Sequence, residues 1–272
     1  MIIQHNMAAA NTNRQLQLTN KNLSKSTEKL STGYKVNRAA DNAAGLTISE
    51  KMRGQIRGLE QASTNAQDGI SLVQTAEGAL AETESILQRM RELAIQASND
   101  TNVTADRKAI SEEMSSLEAE IDRIGSQTEF NTMKLLNGSF TNKNLQVGAN
   151  ASQNISLEIK SMTCSGLGVK DINKQMSVYG NATKAISTIS MAVSKVSTQR
   201  SKLGAIQNRL DHTIANSDNT AENLQAAESR IRDVDMAEEM VKYSKDSILQ
   251  QAGQSMLAQA NQATQGIISL LR

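Results

Sequence analysis

Proline is absent from all 272 residues. At average usage a chain this long would hold about 14, and since proline breaks helix interiors, its absence permits long uninterrupted helices. Aromatic side chains are nearly missing too: Tyr34, Phe130, Phe140, Tyr179 and Tyr243 are the whole set, and there is no tryptophan. A compact enzyme usually builds its core and its pocket around such rings, each burying about 150 to 250 Å², so a deep globular core is not expected. One cysteine, Cys164, excludes an intrachain disulfide framework. With only His5 and His212 beside it, no Cys or His cluster can hold zinc. Neither sign of charge dominates: 29 Lys and Arg face 28 Asp and Glu, a formal charge of +1. That excludes the basic excess of a nucleic-acid footprint. No apolar run approaches the ~20 residues that span a bilayer. The opening residues Met1 to Ala10 carry no basic n-region, so no cleaved secretion signal is expected. On these tests alone the expectation is a soluble, cytoplasmic chain.

What is present is periodicity. From Ile48 through Met52, Ile56, Leu59, Ala62, Ala66, Ile70, Val73, Ala76, Leu80, Leu87, Met90 and Ala94 to Ala97, small and apolar side chains recur with one step skipped near Thr83. The mean step is about 3.5 residues, the repeat of a helix committed to a coiled-coil seam. Thr47 with Glu50 three residues later resembles a capping box at its start. At 1.5 Å per residue such a helix would run roughly 75 to 80 Å, which predicts a rod. After the polar turn Asn99 to Asn102, the series Ile110, Met114, Leu117, Ile121 and Ile124 predicts a shorter return helix ending near Gly125. A third stretch, Ile186, Ile189, Val193, Val196, Leu203, Ile206, Leu210, Ile214, Ala221, Leu224, Ala227 and Ile231, supplies a second long partner.

Between these helices, residues 130 to 180 change character. Leu145 to Val147 and Ile155 to Ile159 alternate apolar with polar around Gly148-Ala149-Asn150, which predicts a small β-hairpin over about 144 to 159. Gly166-Leu167-Gly168 lacks the third glycine of a nucleotide loop and reads as a turn. Cys164 has no basic neighbour to lower its pKa, and neither histidine has the surroundings of a nucleophile or ligand set. No catalytic residue, cofactor or metal is expected.

The two ends are amphipathic. Residues 1 to 32 carry Ile3, Met7, Ala10, Leu16, Leu23 and Leu30 and stop at Gly33, a helix C-terminal signal. The segment from Asp235 carries Met240, Ile248, Ala252, Met256, Ala260, Ala263, Ile267 and Leu270. Neither has an obvious core of its own, and exposed apolar faces on polar helices mark surfaces that meet other chains. Assembly is the favoured reading, with Ile3, Met7, Leu30, Met240, Ile248, Met256, Ile267 and Leu270 as the candidate assembly residues.

Longer motifs sharpen this. The segment Lys29 to Ser49 (KLSTGYKVNRAADNAAGLTIS) closely resembles the N-terminal signature of bacterial flagellins, as does Gln88 to Gln96 (QRMRELAIQ). The other end agrees in Lys202 to Leu210 (KLGAIQNRL), Glu228 to Glu238 (ESRIRDVDMAE) and Met256 to Gln262 (MLAQANQ), through Leu270-Leu271-Arg272. The resemblance covers essentially the whole chain.

It implies a mainly α fold: an elongated helical bundle or coiled-coil rod with a small β-hairpin and paired N- and C-terminal helices. Residues 1–32 and 236–272 would form the inner layer of a hollow filament, 33–44 a linker and 45–235 the outer rod. The variable outer domains of longer members are missing. The implied function is a structural subunit that polymerises into the filament for swimming motility. Export would be in unfolded form through the flagellum's own type III apparatus, which moves the expected location to the cell exterior without a cleaved signal. A chain without proline and with one cysteine suits threading and fast folding. Implied partners are other copies of the chain, an export chaperone, the filament cap and hook-junction proteins, and the flagellin-sensing Toll-like receptor of animals, with no nucleic acid and no membrane. Arg89, Leu93, Ile110 and Glu113 match the family's receptor-contacting positions. Two alternatives remain open: a hook-filament junction protein, whose terminal motifs should diverge from those quoted, and a chemoreceptor-like signalling rod, which would want a membrane segment and two near-equal helices.

Overall fold

The computed structural model describes residues 6–177 and 179–270, without the side chains of 177, 179 and 263–270. The chain divides into two compact units, one made of Met1–Gly54 with Glu222–Arg272 and the other of Gln55–Ala221. The division falls inside two long helices, α2 (Ala43–Ala97) and α5 (Tyr179–Arg232).

In the first unit, α1 (Met7–Thr32) begins where Asn6 accepts the Ala9 N–H at 3.0 Å and ends at Gly33, whose positive φ of 75° lets its N–H reach the Lys29 carbonyl. The final helix, α6 (Met236–Leu270), is capped by Asp235, which accepts the N–H groups of Ala237 and Glu238 at 2.9 and 3.1 Å. These two helices pack side by side. Helix α2 starts earlier than the Thr47–Glu50 pattern predicts. Asn42 accepts the Gly45 N–H at 2.9 Å and so caps at Ala43, while the Thr47 hydroxyl turns back to the Ala43 carbonyl inside the helix. The ends of the unit are clasped at Arg232. Its guanidinium lies 4.8 Å from the Tyr34 ring centroid and donates to Ser49 and Glu50, and its carbonyl accepts the Lys35 N–H at 2.6 Å.

In the second unit the seam of α2 is buried as its spacing requires, from Ala62 and Ala66 through Val73, Ala76, Leu80, Leu87, Met90 and Ala94 to Ala97. The skipped step is filled by Thr83, 1% exposed, whose hydroxyl is satisfied by the Ala79 carbonyl at 2.9 Å. Helix α5 has a matching gap between Val196 and Leu203. Buried Gln199 fills it and donates to the Glu158 carbonyl at 3.1 Å. The return helix α3 (Thr104–Gln127) buries Ile110, Met114 and Ile121. Arg107 ties down the preceding turn through the carbonyls of Asn99 and Asn102.

The scarcity of rings does not prevent a core, because residues 135–176 lay a strip of aliphatic side chains onto the helices. Leu135, Leu136, Leu157, Ile159, Met162, Leu167, Val169, Ile172 and Met176 join the buried faces of α2, α3 and α5, with Phe140 the one ring fully buried among them. The expected hairpin is present as β3 (Lys143–Gln146) and β4 (Asn154–Leu157), antiparallel with Leu145 opposite Ile155. It packs through Val147 and Ile155 on Ala66 and Leu210. The approach is close enough that a Cβ at Gly69 would lie 2.7 Å from Leu145 Cδ1. Three pieces were not expected: the strand pair β1 (Glu129–Phe130) and β2 (Met133–Lys134), the one-turn helix α4 (Cys164–Leu167), and a 3-10 helix at Ile172–Ser177. Gly166 and Leu167 therefore lie in a helical turn that Gly168 ends at φ 83°.

Candidate functional site

The pairing of α1 with α6 uses a mixed face, in which leucines alternate with polar side chains. Along α1 the inward positions are Leu16, Thr19, Leu23, Ser26 and Leu30, and Thr19 and Ser26 are the two that are fully buried. On α6 the seam holds Glu239, Tyr243, Gln250, Gly253, Leu257 and Ala260. Glu239 is 4% exposed and accepts the Ser26 hydroxyl at 2.7 Å, with the Lys29 and Lys242 ammonium groups each 3.8 Å away. Gln250 donates to Asn20 at 2.8 Å, and Asn6 donates to the Ala260 carbonyl at 2.9 Å. Gly253 makes room for Leu16, whose Cδ1 would lie 3.2 Å from a Cβ there. These hydrogen bonds, each worth about 1 kcal/mol net, fix the register of the pair alongside the contacts of the leucines.

Beside Tyr243 and Leu257, which face the seam, α6 carries a set of apolar side chains that point outward. Met240, Ile248 and Met256 are 50%, 65% and 58% exposed, and Met7 on α1 is 73% exposed. Leu30, by contrast, is half-buried in step with Leu23 and Ser26. Ile3 lies outside the described residues, as do the side chains of Ile267 and Leu270. Leu18, Val241 and Leu249 are also exposed and were not singled out from sequence. Val241 and Leu249 each follow a stripe residue by one position, so a helical-wheel reading would have found them. A groove of about 450 Å³ runs between the helices, lined by Leu16, Thr19, Leu249, Ala252, Gly253 and Met256 among others.

In the second unit the four remaining candidates come together where α2 meets α3, but at different depths. The Arg89 guanidinium bridges Glu113 at 2.9 and 3.0 Å and Glu92 at 3.0 Å, and these carboxylates push its already high pKa further up. Leu93 and Ile110 lie beneath, 2% and 6% exposed, in the core with Met90 and Met114. Only Arg89 and Glu113 of the four are accessible. Ile95, 53% exposed, follows on α2.

Chemistry of other kinds finds little support. The Cys164 thiol is buried, donates to the Glu118 carbonyl at 3.1 Å, and is pushed up to about 12 by burial and by the neighbouring Asp122 carboxylate, so it stays protonated. Among the described residues no group of three or more His, Cys, Asp or Glu is placed to hold a metal ion, and no helix is long and apolar enough to cross a membrane.

Comparison with known proteins matches these features to one family. Residues 3–141 match the bacterial flagellin N-terminal helical region and residues 186–271 the bacterial flagellin C-terminal helical region. The flagellin of Halalkalibacterium halodurans is 54% identical over 272 residues, covering the whole of both chains. That of Bacillus subtilis is 50% identical over 304, again covering both completely, and the flagellar filament 33 kDa core protein of Treponema phagedenis is 51% identical over 286 with full coverage. Among solved structures, Bacillus cereus flagellin is 29% identical with a TM-score of 0.49, covering 61% of this chain and 94% of that one. A Vibrio parahaemolyticus chain provisionally assigned as a flagellar hook-associated protein is 13% identical with a TM-score of 0.60, covering 71% and 100%, which shows a shared fold alone. Full-length identity at this level, spanning both terminal regions, places the chain among filament subunits, and it belongs to the bacterial flagellin family.

Proposed function

We propose that the outward apolar face of α6, with Met7 of α1, is the surface through which copies of this flagellin pack on one another in the filament. The observation that carries this is the split of α6 into a mixed seam spent on α1 and an apolar stripe left in solvent. Fully burying each such side chain would contribute about 1.5 to 3 kcal/mol, so a few of them per copy suffice to drive polymerisation. Ile3, Ile267 and Leu270 continue the stripe in sequence and share the role, while Leu30 acts indirectly by seating α1. The domain roles follow the same reading, with 1–32 and 236–272 as the assembly layer, 33–44 as its linker and 45–235 as the supporting helical body.

The test is Ile248→Asp with Met256→Asp in the full chain. Helical content by circular dichroism should be unchanged while sedimentable filaments disappear. Normal filaments in electron micrographs would overturn the assignment.

The remaining partners belong to this proposal. The chain leaves the cell unfolded through the flagellar type III apparatus, escorted by an export chaperone that shields the same stripe, and adds between the hook-junction proteins and the filament cap at the cell exterior. Catalysis has no part in this reading. The Toll-like receptor of animals would meet Arg89 and Glu113 directly, with Leu93 and Ile110 fixing the helix surface from below. The specific feature favouring this second role is an accessible charged pair bridging α2 and α3 over a rigid apolar base.

A further inference from the structure

Ten of the twelve methionines fall into sets of opposite accessibility, Met52 being half-buried and Met1 lying outside the described residues. Met90, Met114, Met162 and Met176 are 0 to 4% exposed in the core of the second unit. Met7, Met236, Met240 and Met256, all on α1 and α6, are 48 to 73% exposed. Two more, Met133 and Met191, are exposed on the second unit. A thioether is a soft apolar contact that packs well against irregular surfaces, and its sulfoxide is polar and chiral, which disrupts methionine-rich interfaces. With so few rings in the chain, methionine supplies much of what α6 offers to a neighbour.

We propose that Met7, Met236, Met240 and Met256 are oxidation sites through which peroxide controls incorporation of the unassembled subunit. This rests on the assembly reading above. The sulfur lone pair attacks one oxygen of hydrogen peroxide, the O–O bond breaks as the S–O bond forms, and the departing oxygen leaves as water after proton transfer. Sulfur loses two electrons and peroxide gains them. In the folded subunit, free of chaperone and not yet in the filament, core methionines are out of reach, so the helices and the second unit persist while the stripe turns polar. Polymerised copies cover the stripe and resist, which confines the effect to subunits not yet in place. Reduction by a methionine sulfoxide reductase restores the thioether.

Limited hydrogen peroxide on the purified, unassembled full chain, followed by peptide mass mapping and a pelleting assay, tests this. The four stripe methionines, with Met133 and Met191, should gain oxygen well before the four core ones. The critical concentration for pelleting should rise about tenfold or more, as expected for losing one buried apolar side chain. Treatment with the reductase should bring it back. In the variant M7L/M236L/M240L/M256L, whatever its critical concentration before treatment, the same dose should leave that value unmoved although Met133 and Met191 are oxidised, and a rise like that of the parent chain overturns the inference. Equal pelleting of oxidised and untreated chain overturns this inference alone, as does oxidation of core and stripe at equal rates or failure of the reductase to restore assembly. An untreated chain that never pellets overturns the assembly reading, and this inference with it.

Discussion

Arg89 and Leu93 stand one helical turn apart on α2 and do opposite things. Leu93→Ala opens a cavity in a packed seam and should cost about 2 to 5 kcal/mol, read from the denaturant midpoint. Arg89→Ala removes an exposed pair with Glu113 and should leave that midpoint nearly unchanged while weakening receptor binding. Unchanged affinity in Arg89→Ala would remove the receptor role. Cys164 supplies a pH dependence. Its thiol is pushed from 9.0 to about 12 in the folded chain, so the native state holds the proton more tightly than the unfolded one. That contribution is complete below about pH 9 and is lost as pH rises toward 12. Stability measured by urea titration should therefore fall over this alkaline range, and the fall should be smaller in Cys164→Ala.

The elements themselves were legible to different degrees, for physical reasons. The seams of α2, α3 and α5 in the second unit follow directly from spacing, since a buried helix face must repeat, whereas Ile48, the first of the α2 series, is 45% exposed in the first unit. Thr83 and Gln199 show why gaps in such a repeat need not break a helix: each is buried with its polar group satisfied by a carbonyl. The start of α2 was misplaced because Asn42 competes with Thr47 as a cap, and spacing alone does not decide between two good caps. The split of α6 into two faces was only half visible, because the seam facing α1 mixes Glu239 and Gln250 with Tyr243, Gly253 and Leu257 and so carries little hydropathy signal. Strands β1 and β2 were invisible, being two residues each and joined by Asn131 and Thr132 at φ 46° and 63°. Both central residues at positive φ make this a type I′ turn, whose usual signal is Asn-Gly. Threonine in glycine's place hides the turn and strains it. Thr132→Gly should raise stability by about 1 kcal/mol in a thermal melt, and a destabilised variant would show that the threonine makes a contribution beyond its local bond to the Asn131 carbonyl.

At the scale of the whole chain, the two units differ in what holds them. The second has a continuous, mainly aliphatic core from Leu72 to Leu203, whereas α1 and α6 meet through a seam whose fully buried positions are Thr19, Ser26 and Glu239, its leucines only partly covered and much of α6's apolar surface outward. Local stability follows buried apolar contact. In an unassembled subunit, amide hydrogens in the middle of α2 and α5 should exchange far more slowly than those of α1 and α6, and polymerisation should slow the latter most. Uniform protection of the free chain would contradict the idea that the terminal helices are completed by their neighbours.

The solitary, protonated, fully enclosed thiol of Cys164 has a practical corollary. In the native subunit at neutral pH no accessible thiolate is present to attack a maleimide dye, so a cysteine introduced at a surface position would be labelled singly against a silent background. The growth of individual filaments could then be followed in colour without first removing the natural sulfhydryl.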